Sequence, residues 1–163
     1  MSEINIGNMF SKLENMINDA LMGDTLKNAL DFAEYLRQNG MIYTGTHCEI
    51  SYKNQCACYI YIDVASQAHG PWTIWTEGEY CGENDLVPIG EHMKEIAWAN
   101  ISTCLNCGNS CSPGNHKMIF GKDFSNVCNA VLRFRNPDAV TLECVKKLVE
   151  IRRHVIDDME CAE

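Results

Sequence analysis

The sequence predicts an α+β domain with an N-terminal helical hairpin, a mainly antiparallel sheet of about four to five strands, and helices packed on one face of it. Three observations predict this. Apolar residues recur at helical spacing through residues 9–39, at alternate positions through residues 47–64, and at helical spacing again after Pro137. Helices gathered on one side of an antiparallel sheet satisfy all three patterns.

The first helix takes Met9, Phe10, Leu13, Met16, Ile17, Ala20 and Leu21 as its buried stripe, with Asn8 as N-cap. Gly23-Asp24 breaks it and caps a second helix over 25–39, whose stripe is Leu26, Ala29, Leu30, Ala33 and Leu36. Gly40 is the expected left-handed stop. The period then becomes two. Cys48, Ile50 and Tyr52 alternate with polar residues, and after Lys53-Asn54-Gln55 the run Cys56, Cys58, Ile60, Ile62, Val64 alternates with Ala57, Tyr59, Tyr61, Asp63. Two such runs about a short polar turn predict a hairpin. Trp72-Thr73-Ile74-Trp75-Thr76 predicts a third strand with aromatics on both faces. Pro88 suits the first turn of a third helix burying Ile89, Met93, Ile96, Ala97 and Ile101. Residues 127–135 alternate again, with Cys128, Ala130, Leu132 and Phe134 on one face and Asn129, Val131, Arg133 and Arg135 on the other. Asn136-Pro137-Asp138 predicts cap, first-turn proline and acidic first turn of a last helix, which buries Val140, Cys144, Leu148, Ile151 and Val155.

A chain of 163 residues fits one domain over 1–163. No apolar run approaches the roughly 20 residues that span a bilayer. The first residues lack the basic and apolar regions of a signal peptide, so the expected compartment is the cytoplasm. There the ten cysteines serve metal binding, catalysis or burial rather than disulfides. A net charge of −9 works against nucleic acid as a partner. Membrane is excluded on the same expectation, leaving a small molecule or a protein, with a homodimer as one form of the latter.

The densest chemistry is Cys104-Leu105-Asn106-Cys107-Gly108-Asn109-Ser110-Cys111, followed by Cys128. A tetrahedral zinc site takes four thiolate or imidazole ligands, often with a Cys-x2-Cys knuckle. Cys104, Cys107, Cys111 and Cys128 form such a set, with His116 as substitute for Cys128, in a Cys-rich loop over 102–128 between the third helix and the last strand. An iron–sulfur cluster is the metal competitor, since Pro113 follows Cys111 closely, although Cys-x2-Cys-x3-Cys-x16-Cys is not the usual ferredoxin spacing. Ordinary core packing of Cys104 and Cys128 is the alternative to any metal. Cys56, Cys58 and Cys144 suit the core, and Cys161 an exposed tail. A catalytic thiol would need one of His47, His69 or His92 as base. No Gly-rich phosphate loop, His-Glu-x-x-His or Gly-x-Ser-x-Gly string is present.

Tyr59, Tyr61 and Trp75 share the sheet face opposite Ile60 and Ile74. An aromatic face is expected to be covered, by the rest of the core or by a second copy. The sharper expectation is a pocket for a small apolar or cationic ligand, with Glu77, Glu79 and Glu83 near the strand end.

The three strands of residues 47–76, with the His69-Gly70-Pro71-Trp72 step, resemble the middle of the YdhG-like domain family. Val131-Leu132-Arg133-Phe134-Arg135-Asn136-Pro137 and residues 142–152 resemble its last strand and helix. That resemblance implies a small cytoplasmic α+β domain, with the cysteine loop as an insertion. Residues 119–128 also resemble cysteine-rich proteins of anaerobic Firmicutes, some appended to transcription regulators. Taken together, the chain reads as a cytoplasmic domain with a zinc-closed loop that binds a small molecule or protein partner. The alternative is a redox or thiol-dependent enzyme using the cysteines through an iron–sulfur or open zinc site.

Overall fold

The structure is a computed structural model that describes residues 6–45, 48–63, 70–76, 88–107 and 111–161. Its elements run α1 (Ile6–Ala20), α2 (Gly23–Gln38), β1 (Ile42–Tyr43), β2 (Glu49–Tyr52), β3 (Gln55–Ile62), β4 (Trp72–Thr76), α3 (Glu91–Ala99), β5 (Ile101–Thr103), β6 (Asn115–Ile119), β7 (Lys122–Arg135) and α4 (Ala139–Cys161). The strands form one antiparallel sheet in the order β1-β2-β3-β4-β7-β5, with β6 also paired to β7. The α+β class is as the sequence predicts. Among the described residues the strands number seven, more than the expected four to five.

The two opening helices form the expected hairpin, with Phe10, Leu13 and Ile17 of α1 buried beside Ala29, Phe32, Ala33 and Leu36 of α2. The start of α1 lies at Ile6, so Asn8 is within the helix rather than capping it. Met22, not Gly23 or Asp24, holds the N-cap position of α2. The C-terminal stop follows expectation. Gly40 has φ +71°, and the N–H groups of Gly40 and Met41 return to the carbonyls of Arg37 and Leu36. That pattern satisfies carbonyls that no further helical turn would reach.

Lys53 and Asn54, both at positive φ, make the two-residue turn between β2 and β3. A bulge opposite Ile50 and Ser51 lets Ala57 and Cys58 both be buried, where strict alternation would expose one of them. On the helix side of the sheet Ile60, Ile74 and Phe134 pair rung by rung across β3, β4 and β7. Each is 2% exposed or less, worth roughly 2–3 kcal/mol apiece in apolar burial. Helix α4 closes this face with Leu142, Cys144, Val145, Leu148, Val149 and Ile151, and it touches β3, α2 and α3. The Tyr35 hydroxyl donates to the Lys146 carbonyl at 2.9 Å, tying α2 to α4.

Several boundaries differ from expectation for local reasons. Helix α3 ends at Ala99, and Ile101 opens β5 instead of extending the helical stripe. Pro88 lies before the helix, whose N-cap position is Gly90. Asp138, not Asn136, caps α4: its carboxylate accepts the Thr141 N–H at 2.8 Å, which holds its carboxyl below the ordinary range. Asn136 takes a left-handed φ of +44° just before the helix. Val140 then faces solvent, at 57% exposure, because the helix phase is set by Leu142 and Val145. Cys161 is exposed as expected, although α4 extends to it rather than fraying earlier.

Residues 102–128, expected as loop, contain the end of β5, all of β6 and the first half of β7. Phe120 and Gly121, both at positive φ, turn β6 into β7 as a tight hairpin. The pattern was hard to read because this ribbon overhangs the core. Only Ile119 of β6 and Val127 in the early part of β7 are fully buried.

Candidate ligand site on the open sheet face

Antiparallel pairing places directly opposed residues on one face. Tyr59 opposes Trp75, and Trp75 opposes Arg133. One rung further, Tyr61 opposes Thr73, and Thr73 opposes Arg135. The face away from the helices thus carries two rows, Tyr59–Trp75–Arg133 and Tyr61–Thr73–Arg135. Tyrosines stand at one side, arginines at the other, and Trp75 between them.

The three aromatics are half-buried rather than enclosed in a second core layer. Tyr61 and Trp75 touch across the diagonal, with ring centroids 4.4 Å apart and planes tilted by 37°. The Arg133 guanidinium carbon lies 4.4 Å from the Trp75 ring centroid on its other side. Tyr59, Tyr61, Trp75, Thr76, Asn129 and Ala130 line a cavity of about 330 Å³, open to solvent. The structure therefore brings together all three aromatic residues picked out by the strand pattern. Across Arg133 lies a second cavity of about 460 Å³, lined by Asn100, Ser102, Thr103, Leu105, Arg133 and Arg135 among others.

Sequence reasoning missed the arginines and Asn129 as site residues. The signal was present, since Arg133 and Arg135 alternate with the core residues Leu132 and Phe134 and so must share the face of Trp75. The same alternation assigns Asn129 to that face, whereas it assigns Ala130 to the core side with Leu132. Between Val127 and Leu132 the strand β7 carries extra residues relative to β5, whose Thr103 and Ile101 pair with them. The bulge brings Ala130 to the cavity beside Asn129.

The same bulge re-aims Cys128. A regular strand would put it on the face of Leu132 and Phe134. Instead the Arg133 Nη2 donates to the Cys128 sulfur at 3.5 Å, although Cys128 stays only 7% exposed. Cys104 is buried at the end of β5, with its N–H on the Asn126 carbonyl and its own carbonyl accepting from the Asn126 amide. Its sulfur lies 3.7 Å from the Asn106 side-chain oxygen. Cys107 and Cys111 are exposed. His116 is exposed and pairs with Asp123 at 3.3 Å on the β6–β7 ribbon. Among the described residues no three Cys, His, Asp or Glu side chains stand close enough together to share one ion.

Leu132 pairs with both Thr76 and Ile101, so β4 and β5 flank β7 on opposite edges. Val127 pairs with both Thr103 and Asn115, which places β6 on the β4 edge. Cys104 therefore follows a strand on one edge of β7 and Gly114 precedes a strand on the other, so the chain changes edges between them. Gly114 is pinned beside Asn126: a Cβ on it would fall 2.5 Å from the Cys104 Cβ and 2.4 Å from the Asn126 side-chain oxygen.

The remaining cysteines behave as core or surface. Burial pushes the Cys58 thiol well above its ordinary range and Cys144 up to about 11. Cys144 donates to the Met93 carbonyl at 3.3 Å. Cys56 is half-buried. His92 is exposed on α3. His47, His69, Glu77, Glu79 and Glu83 lie outside the described residues, as does much of the segment carrying the His-Gly-Pro-Trp step. No helix among the described residues is long and apolar enough to cross a membrane. No protein-family profile, curated protein or solved structure matches the chain.

Proposed function

We propose that this chain is a binding domain for a small molecule, not a catalyst, and that its ligand sits on the open sheet face between Tyr59, Tyr61 and Trp75. One observation carries this reading. Two neighbouring strands, β3 and β4, contribute three aromatic side chains to a single solvent-open cavity of about 330 Å³ on the face the helices leave free. That volume lies at the lower end of the range for small-ligand pockets, and aromatic walls supply most of the burial such ligands need.

A thermal-shift screen of a metabolite panel tests the proposal. Compounds that raise the melting temperature of the wild type should have no effect on Trp75→Ala. Compounds that stabilise both proteins equally would place the ligand elsewhere. Dimerisation through the aromatic face, measured by light scattering and abolished by Trp75→Ala, would replace the small molecule with a second copy.

A second reading, zinc in the cysteine loop, has its own support. Asn126 fixes Cys104, and Gly114 packs against Cys104, so both ends of the 104–114 connection are anchored beside the β7 bulge that carries Cys128. Cys107 and Cys111 lie on the connection itself. Zinc would require these two to close over β7 and Cys128 to turn from Arg133. Metal analysis of protein purified without oxygen tests this. One zinc, lost in Cys107→Ser but retained in Cys56→Ser, supports a structural site. Visible thiolate–iron absorption would mean a cluster and favour the redox alternative.

A further inference from the structure

We propose that the ligand of the open face is a planar aromatic molecule carrying one oxyanion, a carboxylate or a phosphate, with its ring against Tyr61 and Trp75 and its anion on Arg133 and Arg135. The proposal rests on the aromatic cavity being the ligand site, and it adds the ligand's chemical class.

Charge draws attention to these arginines, although Arg153, stacked on Tyr52 and bonded to Asn39, likewise has a buried Nε without a hydrogen-bond partner among the described residues. The chain has 22 acidic and 13 basic residues, so carboxylates are plentiful as partners. Arg37 pairs with Glu34, Lys53 with Asp157 and Glu160, and Lys146 with Asp31 and Glu143. Arg133 and Arg135 pair with no carboxylate among the described residues. Arg133 spends its contacts on the Cys128 sulfur and the Trp75 ring, and its buried Nε has no hydrogen-bond partner among the described residues. A guanidinium held half-buried without a counter-charge is expensive unless an anion completes it.

Geometry agrees. Arg133 and Arg135 stand two residues apart on one face of β7 and both line the cavity of about 460 Å³, where Asn100, Ser102 and Thr103 add neutral polar groups. A planar guanidinium presents paired N–H donors that match carboxylate or phosphate oxygens. The aromatic cavity begins on the other side of Arg133, across its stack on Trp75. A ligand spanning this junction meets aromatic side chains at one end and guanidinium donors at the other. A cationic ligand, by contrast, would meet Arg133 already occupying the Trp75 face. A polyanionic strand would gain the same local contacts but would be repelled by a net charge of −9, whereas a small ligand with a single carboxylate or phosphate group feels it far less.

Calorimetric titration of the full chain with 2-naphthoate, 2-naphthyl phosphate and the neutral 2-naphthamide tests the proposal. At least one anionic probe should bind about tenfold or more tightly than the amide. The better of the two identifies the oxyanion. Arg135→Gln, exposed and free of packing duties, should weaken the anionic probe by about tenfold and leave the amide unchanged. Trp75→Ala should weaken all three probes. Equal binding of amide and anions, unaltered by Arg135→Gln, overturns the anionic ligand while leaving the aromatic site intact if Trp75→Ala still abolishes binding. Failure of every probe at millimolar concentration, or indifference to Trp75→Ala, overturns both. An oligouridylate that binds more tightly than any naphthyl probe would put single-stranded RNA in the small molecule's place and overturn the proposal.

Discussion

The Arg133 guanidinium is stacked 4.4 Å from the centroid of the Trp75 ring, directly across the β4–β7 ladder. This one pair joins the aromatic half of the open face to its basic half. It also fixes the Trp75 ring that forms the wall of the smaller cavity.

The pair should be measurable as a coupling. A double-mutant cycle with Trp75→Leu and Arg133→Gln, followed by urea unfolding, is expected to give a favourable interaction of about 1 kcal/mol. Additive single effects would mean that the two side chains merely lie near each other.

The β4 and β7 patterns give the face of each residue of that pair, but not the pairing of the two strands that makes them neighbours. Trp75 and Arg133 each sit one residue from a fully buried neighbour, Ile74 and Leu132, so both had to face away from the helices. The helical hairpin and α4 were equally clear, because long apolar stripes and a glycine at Gly40 leave few alternatives. The β6–β7 ribbon was not clear, since hydrophobic alternation exists only where a strand covers a core and this ribbon overhangs it. Cys128 shows a different limit. Its face depends on extra residues in β7 relative to β5, and nothing local to Cys128 in the sequence announces a bulge.

Gly114 should tolerate no side chain. Gly114→Ala would drive a methyl into the Cys104 Cβ and the Asn126 backbone, and a loss of about 1–3 kcal/mol in urea unfolding is expected. An unchanged midpoint would show that the 104–114 connection is not anchored at Asn126.

The Asp138 cap is a separate contribution. Asp138→Ala should cost about 1 kcal/mol, and Asp138→Asn, which keeps an acceptor for the Thr141 N–H, should cost less. Because the folded state holds the Asp138 carboxyl below its ordinary value of 3.8, its contribution is present above that pH and is lost as pH falls through the lower folded value. The wild type and Asp138→Ala should therefore converge in stability in acid. A constant gap would contradict the cap.

The thiols should divide by burial. Cys107, Cys111 and Cys161 are expected to react promptly with a disulfide reagent in the folded protein, and Cys58 and Cys144 only after unfolding. Cys144 ionises near 11 when folded against 9.0 in the unfolded chain, so the folded state keeps its proton longer. Stability is then intact below pH 9 and declines as pH rises from 9 to 11, and Cys144→Ala should flatten that decline. Equal slopes in the two proteins would contradict it. Mass spectrometry of the labelled peptides checks the reactivities.

The most direct measurement of the ligand site is fluorine NMR of protein labelled with 5-fluorotryptophan, titrated with 2-naphthoate. The three tryptophans give separate reporters: Trp72 in the core, Trp98 on α3 and Trp75 on the open face. The Trp75 resonance should move and saturate while those of Trp72 and Trp98 hold still. Movement of Trp72 or Trp98 with Trp75 unchanged, or no movement at all, would contradict a ligand site between Tyr59, Tyr61 and Trp75.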